Sequence, residues 1–430
     1  MALLRVLVVV LGVPLRLRSV SKAGRLNGER GAIRRAQLSN HRHPHPLETL
    51  TLNRESLMLD TEYQLLVGSY SDLDALAHQP QAPTPGEGIY VLTLSKNGRL
   101  SERERIDTLN PAVLIPHPEK RVMYAILETI QTNGSIQRYD IGVDGALAHS
   151  GTYNASGKST CFLSLSPKRD SAIVINYWDA IIDVVDVDVD GQLGKNIQTF
   201  KQHYREEGNW RQVKTREDHW VNRQVGPHAH CAHFWKDWVF IPDLGENAVF
   251  QYRYDETHKT LTPDLHIEFE AGSGPRHMAM HPTQDVCYIS NELFNTVCVA
   301  SLDASDTSVS KPRLVPIQYE FTLENRDQVS YVSEIKLSPD ARFLYVSNRG
   351  DNSIAIFKVL SDGKLKRIAL VSTGGKFPRH FAITPCGKAM IVANQDTSTL
   401  RLFSRDLDTG LLTDLDYEYS VPAPNYIRFY

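Results

Sequence analysis

The sequence predicts an all-β fold, a seven-bladed β-propeller with four antiparallel strands per blade. Three observations carry this: a recurring strand–turn–strand phrase, a turn proline at near-regular spacing, and strands at the two ends of the repeat region that can complete one more blade. The phrase reads VLIPHPEKRVMYAILE (113–128), FLSLSPKRDSAIVINY (162–177), HMAMHPTQDVCYISNE (277–292), EIKLSPDARFLYVSNR (334–349) and HFAITPCGKAMIVANQ (380–395). A fixed repeat of ~40–50 residues with alternating apolar positions marks one four-stranded blade per unit.

The turn proline falls at Pro118, Pro167, Pro282, Pro339 and Pro385. Most intervals are about 50 residues, and the long one before Pro282 spans two units. Its hidden member is HCAHFWKDWVFIPDL (230–244), which lacks the proline. A seventh blade is assembled from both ends, PNYIRFY (424–430) pairing with YQLLVGSY (63–70). Such closure removes the open sheet edge that would invite aggregation.

Composition narrows the function classes. A formal charge of −3 over 430 residues argues against a broad polyanion surface, hence against nucleic acid. The five cysteines are odd in number, lack C-x-x-C spacing and sit in apolar strand patterns, which suits reduced thiols. The repeat region has no apolar run long enough to span a membrane. Residues 1–57 stand outside the repeat. They are basic and almost free of acidic residues, behind the apolar stretch ALLRVLVVVLGVPL. They read as a disordered extension, either a targeting segment or an over-extended start ahead of Met58. The propeller domain is therefore expected over 58–430, in the cytoplasm if Met58 is the start, and in an organelle or outside the cell otherwise.

Hairpin geometry places candidate functional residues. Positions equidistant from a turn lie opposite one another, and those farthest from it share one end of the blade. Six residues before the turn the repeats carry Ala112, Cys161, His230, Arg276, Ser333, Arg379 and Asn425. Ten residues after it they carry Glu128, Tyr177, Leu244, Glu292, Arg349, Gln395 and Tyr70. Both sets ring one mouth of the channel, with residue 276 expected to face 292. Three guanidiniums and an imidazole in a concave mouth would attract an anion, although a rim Arg–Glu pair can also be a mere surface salt bridge.

The phrases FLYVSNRGDNSIAIF (343–357), FPRHFAITPCGKAMIVANQDTSTLRLF (377–403), NRQVGPHAH (222–230), IPDLGENAVFQY (241–252), VGSYS (67–71) and GEGIYVL (86–92) resemble the seven-bladed propeller lactonases. That family includes the bacterial propeller-type 6-phosphogluconolactonases and the fungal carboxy-muconate lactonising enzymes. The resemblance covers residues 62–430 and implies metal-independent lactone chemistry, without cofactor, in the channel mouth. It puts the family's active-site His, Arg, Glu and Arg on His230, Arg276, Glu292 and Arg349, already placed there by the hairpin argument. The substrate it implies is a small anionic lactone, most directly 6-phosphogluconolactone. A muconolactone-type cycloisomerase and a non-catalytic propeller binding an anion or a protein are the alternatives. Against a docking propeller, the Trp-Asp signature of WD repeats is not repeated.

Within that reading His230 is the general base, because an imidazole's ordinary pKa lies near neutral pH. Arg276 and Arg349 share oxyanion stabilisation and anion binding. Glu292, flanked by them, has a lowered pKa and orients an arginine or the attacking water. Arg379, His228 and Glu128 are the expected substrate contacts. The HAHCAH run (228–233) is not expected to hold a metal, since on a strand His228 and His230 share one face and His233 takes the other. Asn176, Asp243, Asn291, Asn348 and Asn394, one residue before the rim, are read as hydrogen-bonders to exposed turn backbone. DVVDVDVDG (183–191) reads as a strand ending in a D-G turn, rather than a calcium loop. Two long polar connections, 201–224 and 306–329, are expected beside the mouth, shaping the pocket.

Overall fold

Within a blade the second strand, next to the channel-lining one, is the most deeply buried. Segments such as VMYAIL (122–127), SAIVIN (171–176) and AMIVAN (389–394) are buried along their whole length. They lie between neighbouring blades and pack on both faces, so their sequences are continuous apolar runs rather than alternating ones. The outermost strands alternate instead: LSERERID (100–107) and LTDLDYEYS (412–420) bury one face and give the other to water.

The computed structural model describes residues 57–204, 223–303 and 313–430. These form seven four-stranded antiparallel sheets, each a blade. Blade 1 joins the chain ends, with Pro424–Phe429 innermost, then Tyr63–Ser69, Gly88–Leu94 and Leu100–Asp107. The inner strands of blades 2 to 7 are Pro111–Pro116, Thr160–Leu165, His233–Trp235, Pro275–Met280, Tyr331–Leu337 and Pro378–Ile383. The predicted fold class and blade count are those observed. Blade-to-blade contact is apolar, and tyrosines of the second strands add bonds to the next blade. Tyr124 donates to Gly191 O at 2.6 Å, Tyr288 to Gly363 O at 2.9 Å and Tyr345 to Gly410 O at 2.7 Å.

Every inner strand carries a one-residue register shift near the mouth. In blade 2, Pro111 pairs with Leu127 but Val113 with Ile126, leaving Ala112 extra. The same shift isolates Cys161, Arg379 and Asn425, and falls within 276–277 and 333–334. In blade 4 it falls between the Ala229–Asp243 bridge and the His233–Phe240 pair, at 230–232. A bulge bends the strand and re-aims its extra side chain. The bulged positions are the set that the repeat had aligned six residues before the turn.

Several expectations are corrected. Residue 276 does not face 292: Pro275 pairs with Asn291, and Glu292 N–H donates to Gly274 O. Segment 306–329 is not all connection, because Leu314–Phe321 is the outer strand of blade 5. The strand drawn through 228–233 is only His233–Trp235 plus the bridge at Ala229. Asn176, Asp243, Asn291, Asn348 and Asn394 are fully buried and bond at strand ends as expected, as in Asn176 Nδ2 to Ile181 O at 2.9 Å and Asp243 Oδ1 accepting Glu246 N at 2.9 Å; the turn groups they satisfy lie inside the molecule rather than in water. The 183–191 run is strand to Val187 followed by its turn. All five cysteines are free and four are buried. Of the 1–57 extension all but Leu57 lies outside the described residues, and Leu57 packs against the blade 1 and blade 7 core.

Candidate active site at the channel mouth

Glu292 sits at the centre of the mouth, directly after the second strand of blade 5, with no exposed surface. Arg276 Nε reaches its Oε2 at 2.9 Å from the bulge of the same blade. Arg349 Nη2, at the end of the equivalent strand in blade 6, reaches the same oxygen at 2.9 Å. A third guanidinium, Arg223, pairs with Oε1. Burial alone would push the Glu292 carboxyl up, but Arg223, Arg349 and Arg276 outweigh it and hold the group at about 2. Glu292 is therefore an anion that gathers cations, and a poor proton acceptor. Burial and the neighbouring arginines in turn lower Arg349 to about 9.

His230 lies beside this cluster, in the blade 4 bulge. Its ring meets Tyr177 edge-on at 5.2 Å and His277 at 4.8 Å. Its Nδ1 is buried without a protein partner. Burial first, then the charge of Arg276, pushes its pKa well below the ordinary value. The imidazole is neutral at pH 7, and its titration lies lower than an ordinary imidazole pKa would place it.

The remaining expected residues line two flanks. His228 stacks on Tyr177 at 4.7 Å, and its Nδ1 bonds Tyr177 O at 3.1 Å. It thus holds the wall behind His230. Glu128 accepts from Tyr70 Oη at 2.9 Å and Ser159 Oγ at 2.6 Å. Arg379 lies over the Tyr70 ring at 5.3 Å and stands 3.9 Å from Glu128. Its charge acts on His230, Arg276 and Arg349, so the two flanks share one mouth.

Two residues of this mouth were missed from sequence. Arg223 lies outside any strand, so the hairpin rule assigned it no position, although the NRQVGPHAH phrase contains it. Its Nε also donates to Tyr177 Oη at 3.2 Å. His78 comes from the connection between the first two strands of the chain, with Nε2 3.3 Å from Gln395 Oε1 and its ring 5.3 Å from Tyr70. Burial and then Arg379 and Arg349 push His78 well below its ordinary pKa. The unusual length of that connection was the available signal. Of segment 201–224, residues 205–222 lie outside the described residues, and Arg223 is the part that reaches Glu292.

A seven-bladed ring with arginines, a buried carboxylate and a neutral histidine at its mouth is a site that can hold an anionic ester and accept a proton from water. The chain belongs to the seven-bladed β-propeller lactonase family, whose model matches residues 64–429. It is 30% identical over 350 residues to the 6-phosphogluconolactonase of Bacillus subtilis, covering 80% of this chain and 94% of that one. A 6-phosphogluconolactonase of Formosa agariphila is 28% identical, over 85% and 99% of the two chains. Among solved structures, the periplasmic gluconolactonase PpgL of Pseudomonas aeruginosa superposes with a TM-score of 0.74 at 27% identity, over 86% of this chain and 99% of that one.

Proposed function

We propose that this enzyme, a lactone hydrolase, acts on 6-phosphogluconolactone and does so with its own side chains alone. The observation that carries the choice of substrate is the charge at the mouth. Four guanidiniums, Arg223, Arg276, Arg349 and Arg379, stand against the carboxylates Glu292 and Glu128, with His78 and His230 held neutral. The surplus suits a substrate with a phosphate better than an uncharged lactone. Arg223 and Arg379 are the more exposed pair, with side chains 16% and 13% accessible, and are the ones to take the phosphate.

In this reading water adds to the lactone carbonyl while His230 Nδ1 takes its proton. Arg276 and Arg349, fixed by Glu292, stabilise the oxyanion. The intermediate collapses by breaking the ring C–O bond, and the departing alkoxide takes the proton back from the imidazolium. The hydroxy acid formed then loses its carboxyl proton to solvent. The test is acid release from 6-phosphogluconolactone and from gluconolactone by the purified protein, before and after chelation. A kcat/KM at least about tenfold higher for the phosphorylated lactone is expected, as for one lost charged contact. Arg379→Ala should erase most of that preference, and chelation should leave the rate intact. Equal rates on both lactones would refute the phosphate assignment, and loss of activity on chelation the metal-free chemistry.

A further inference from the structure

The bulges at the mouth are tied to one another by side chains. A bulge takes a carbonyl out of the strand ladder, and a buried carbonyl needs another donor. From blade 3 to blade 7 the preceding bulge supplies it. Cys161 Sγ in blade 3 donates to His230 O in blade 4 at 3.3 Å, and Cys231 Sγ in blade 4 to Arg276 O in blade 5 at 3.4 Å. Arg276 Nη1 donates to Ser333 O in blade 6 at 2.9 Å, and Ser333 Oγ to Arg379 O in blade 7 at 2.7 Å. These links all run the same way round the ring, from one bulge to the main chain of the next.

Ser333 has a particular place in this belt. It is completely buried, and its side chain is too short to do more than meet the adjacent backbone. Its segment also touches the rest of the charged set: Val332 N–H donates to Glu292 O at 3.1 Å, and Val332 O accepts from Arg349 Nη2 at 3.0 Å. Ser330 Oγ donates to Arg349 O at 3.0 Å. Residues 330–333 thus join Glu292, Arg276, Arg349 and Arg379. Among these, Arg276 and Arg349 are also held at their tips, 2.9 Å from Glu292. The Arg379 tip lies over the Tyr70 ring at 5.3 Å and stands 3.9 Å from Glu128, too far for a direct hydrogen bond to that carboxylate. Where the backbone of Arg379 is fixed therefore matters more for the aim of its guanidinium, and that point is held by Ser333 Oγ.

We propose that Ser333 is a positioning residue for Arg379 and thereby sets how strongly the enzyme prefers a phosphorylated lactone, a role that rests on Arg379 taking the phosphate. Ser333→Ala deletes the bond to Arg379 O and leaves Ser333 O in place for Arg276. The loss falls on one arginine, not on the whole mouth.

The test compares kcat/KM on 6-phosphogluconolactone with kcat/KM on gluconolactone, a ratio from which the fraction of active enzyme cancels. Ser333→Ala should lower this ratio about fivefold, as for one lost hydrogen bond, chiefly through KM of the phosphorylated lactone. Ser333→Cys should recover most of it, since a thiol makes the equivalent bond at Cys161. In an Arg379→Ala background Ser333→Ala should change the ratio no further, and Cys161→Ala, elsewhere in the belt, should leave the ratio near that of the parent. A ratio kept in Ser333→Ala but lost in Arg379→Ala would overturn the proposal, as would a full further loss in the double variant. Hydrogen exchange of the lactone-free protein, read over residues 378–382, separates this from the substrate reading: Ser333→Ala should speed it about fivefold and Cys161→Ala should not. Unchanged exchange would overturn the positioning role whatever the substrate. Faster exchange in a protein whose parent shows no preference between the lactones would instead overturn the phosphate reading, with Ser333 still holding Arg379.

Discussion

At the scale of single residues, the mouth is an exercise in burying charge. Glu292 was expected at the rim of the mouth, but it has no exposure and is ion-paired with three arginines. Removing one partner of a buried ion network leaves the others uncompensated, at a cost of roughly 3–5 kcal/mol. Glu292→Gln should therefore lower the melting temperature as well as activity, and a variant as stable as the parent in calorimetry would contradict the burial argument. His230→Ala removes a neutral, unpaired ring and should leave stability nearly unchanged. If His230 is the general base, kcat should fall by ~100-fold or more with a modest change in KM. Because burial and Arg276 depress the imidazole, the acid limb of the wild-type profile should lie well below the ordinary imidazole value of about 6.5. A limb at 6.5 that persists in His230→Ala would assign the base elsewhere.

At the scale of the element, the bulge is the device that converts a repeated strand into a site. It adds one residue to each inner strand where the side chain must turn from the sheet toward the axis. The turn after Arg349 is equally specific. Gly350 has φ of 114°, and a Cβ there would meet Val329 O at 2.6 Å. Gly350→Ala should thus strain the segment holding Arg349 and lower kcat more than it raises KM, since the displaced guanidinium stabilises the oxyanion rather than the bound substrate. Unaltered steady-state kinetics in this variant would show that the turn does not position Arg349.

For the whole molecule, ring closure and buried histidines set stability. The inner strand of blade 1 is the C-terminal Pro424–Phe429, paired with Tyr63–Ser69. Deleting it would open the ring and expose a long sheet edge, so a chain ending at Ala423 should aggregate. By contrast, a chain beginning at Met58 should keep its activity and melt within a few degrees of the full chain, because Leu57, which packs on the core, is itself only partly buried. Acid should act earlier than on most proteins. Burial holds His233 at about 4, and burial with Arg276 holds His277 at about 4. Their folded pKa values lie below the unfolded value of about 6.5, so the unfolded chain takes up protons first and stability falls as pH drops from 6.5 toward 4. Glu292, at about 2, adds a further loss below the unfolded carboxylate range. Asp243, raised by burial to about 6, works the other way over part of this window. Urea midpoints that stay constant from pH 7 to 4.5 would refute the balance.

The repeat, the blade count and the ring of rim positions were legible in the chain because they are periodic. Strand alternation and turn spacing are local, and an error in one unit is corrected by six others. Arg223 and His78 were not legible, because each reaches the mouth from a connection with no counterpart in the other repeats. Register was read two residues off at Arg276, with 292 opposite 274, and one of the two comes from a bulge, which leaves the apolar pattern on both sides intact while shifting the pairing between them. The depth of the site was also hidden. A charged residue at a strand end looks like surface in one dimension, and only the convergence of seven such ends, each desolvating the next, turns Glu292 and His230 into buried groups. Sequence alone determined which strand-end residues come together, through repetition; the tertiary structure added Arg223 and His78 and decided the protonation of the whole set, because desolvation is a property of neighbours distant along the chain.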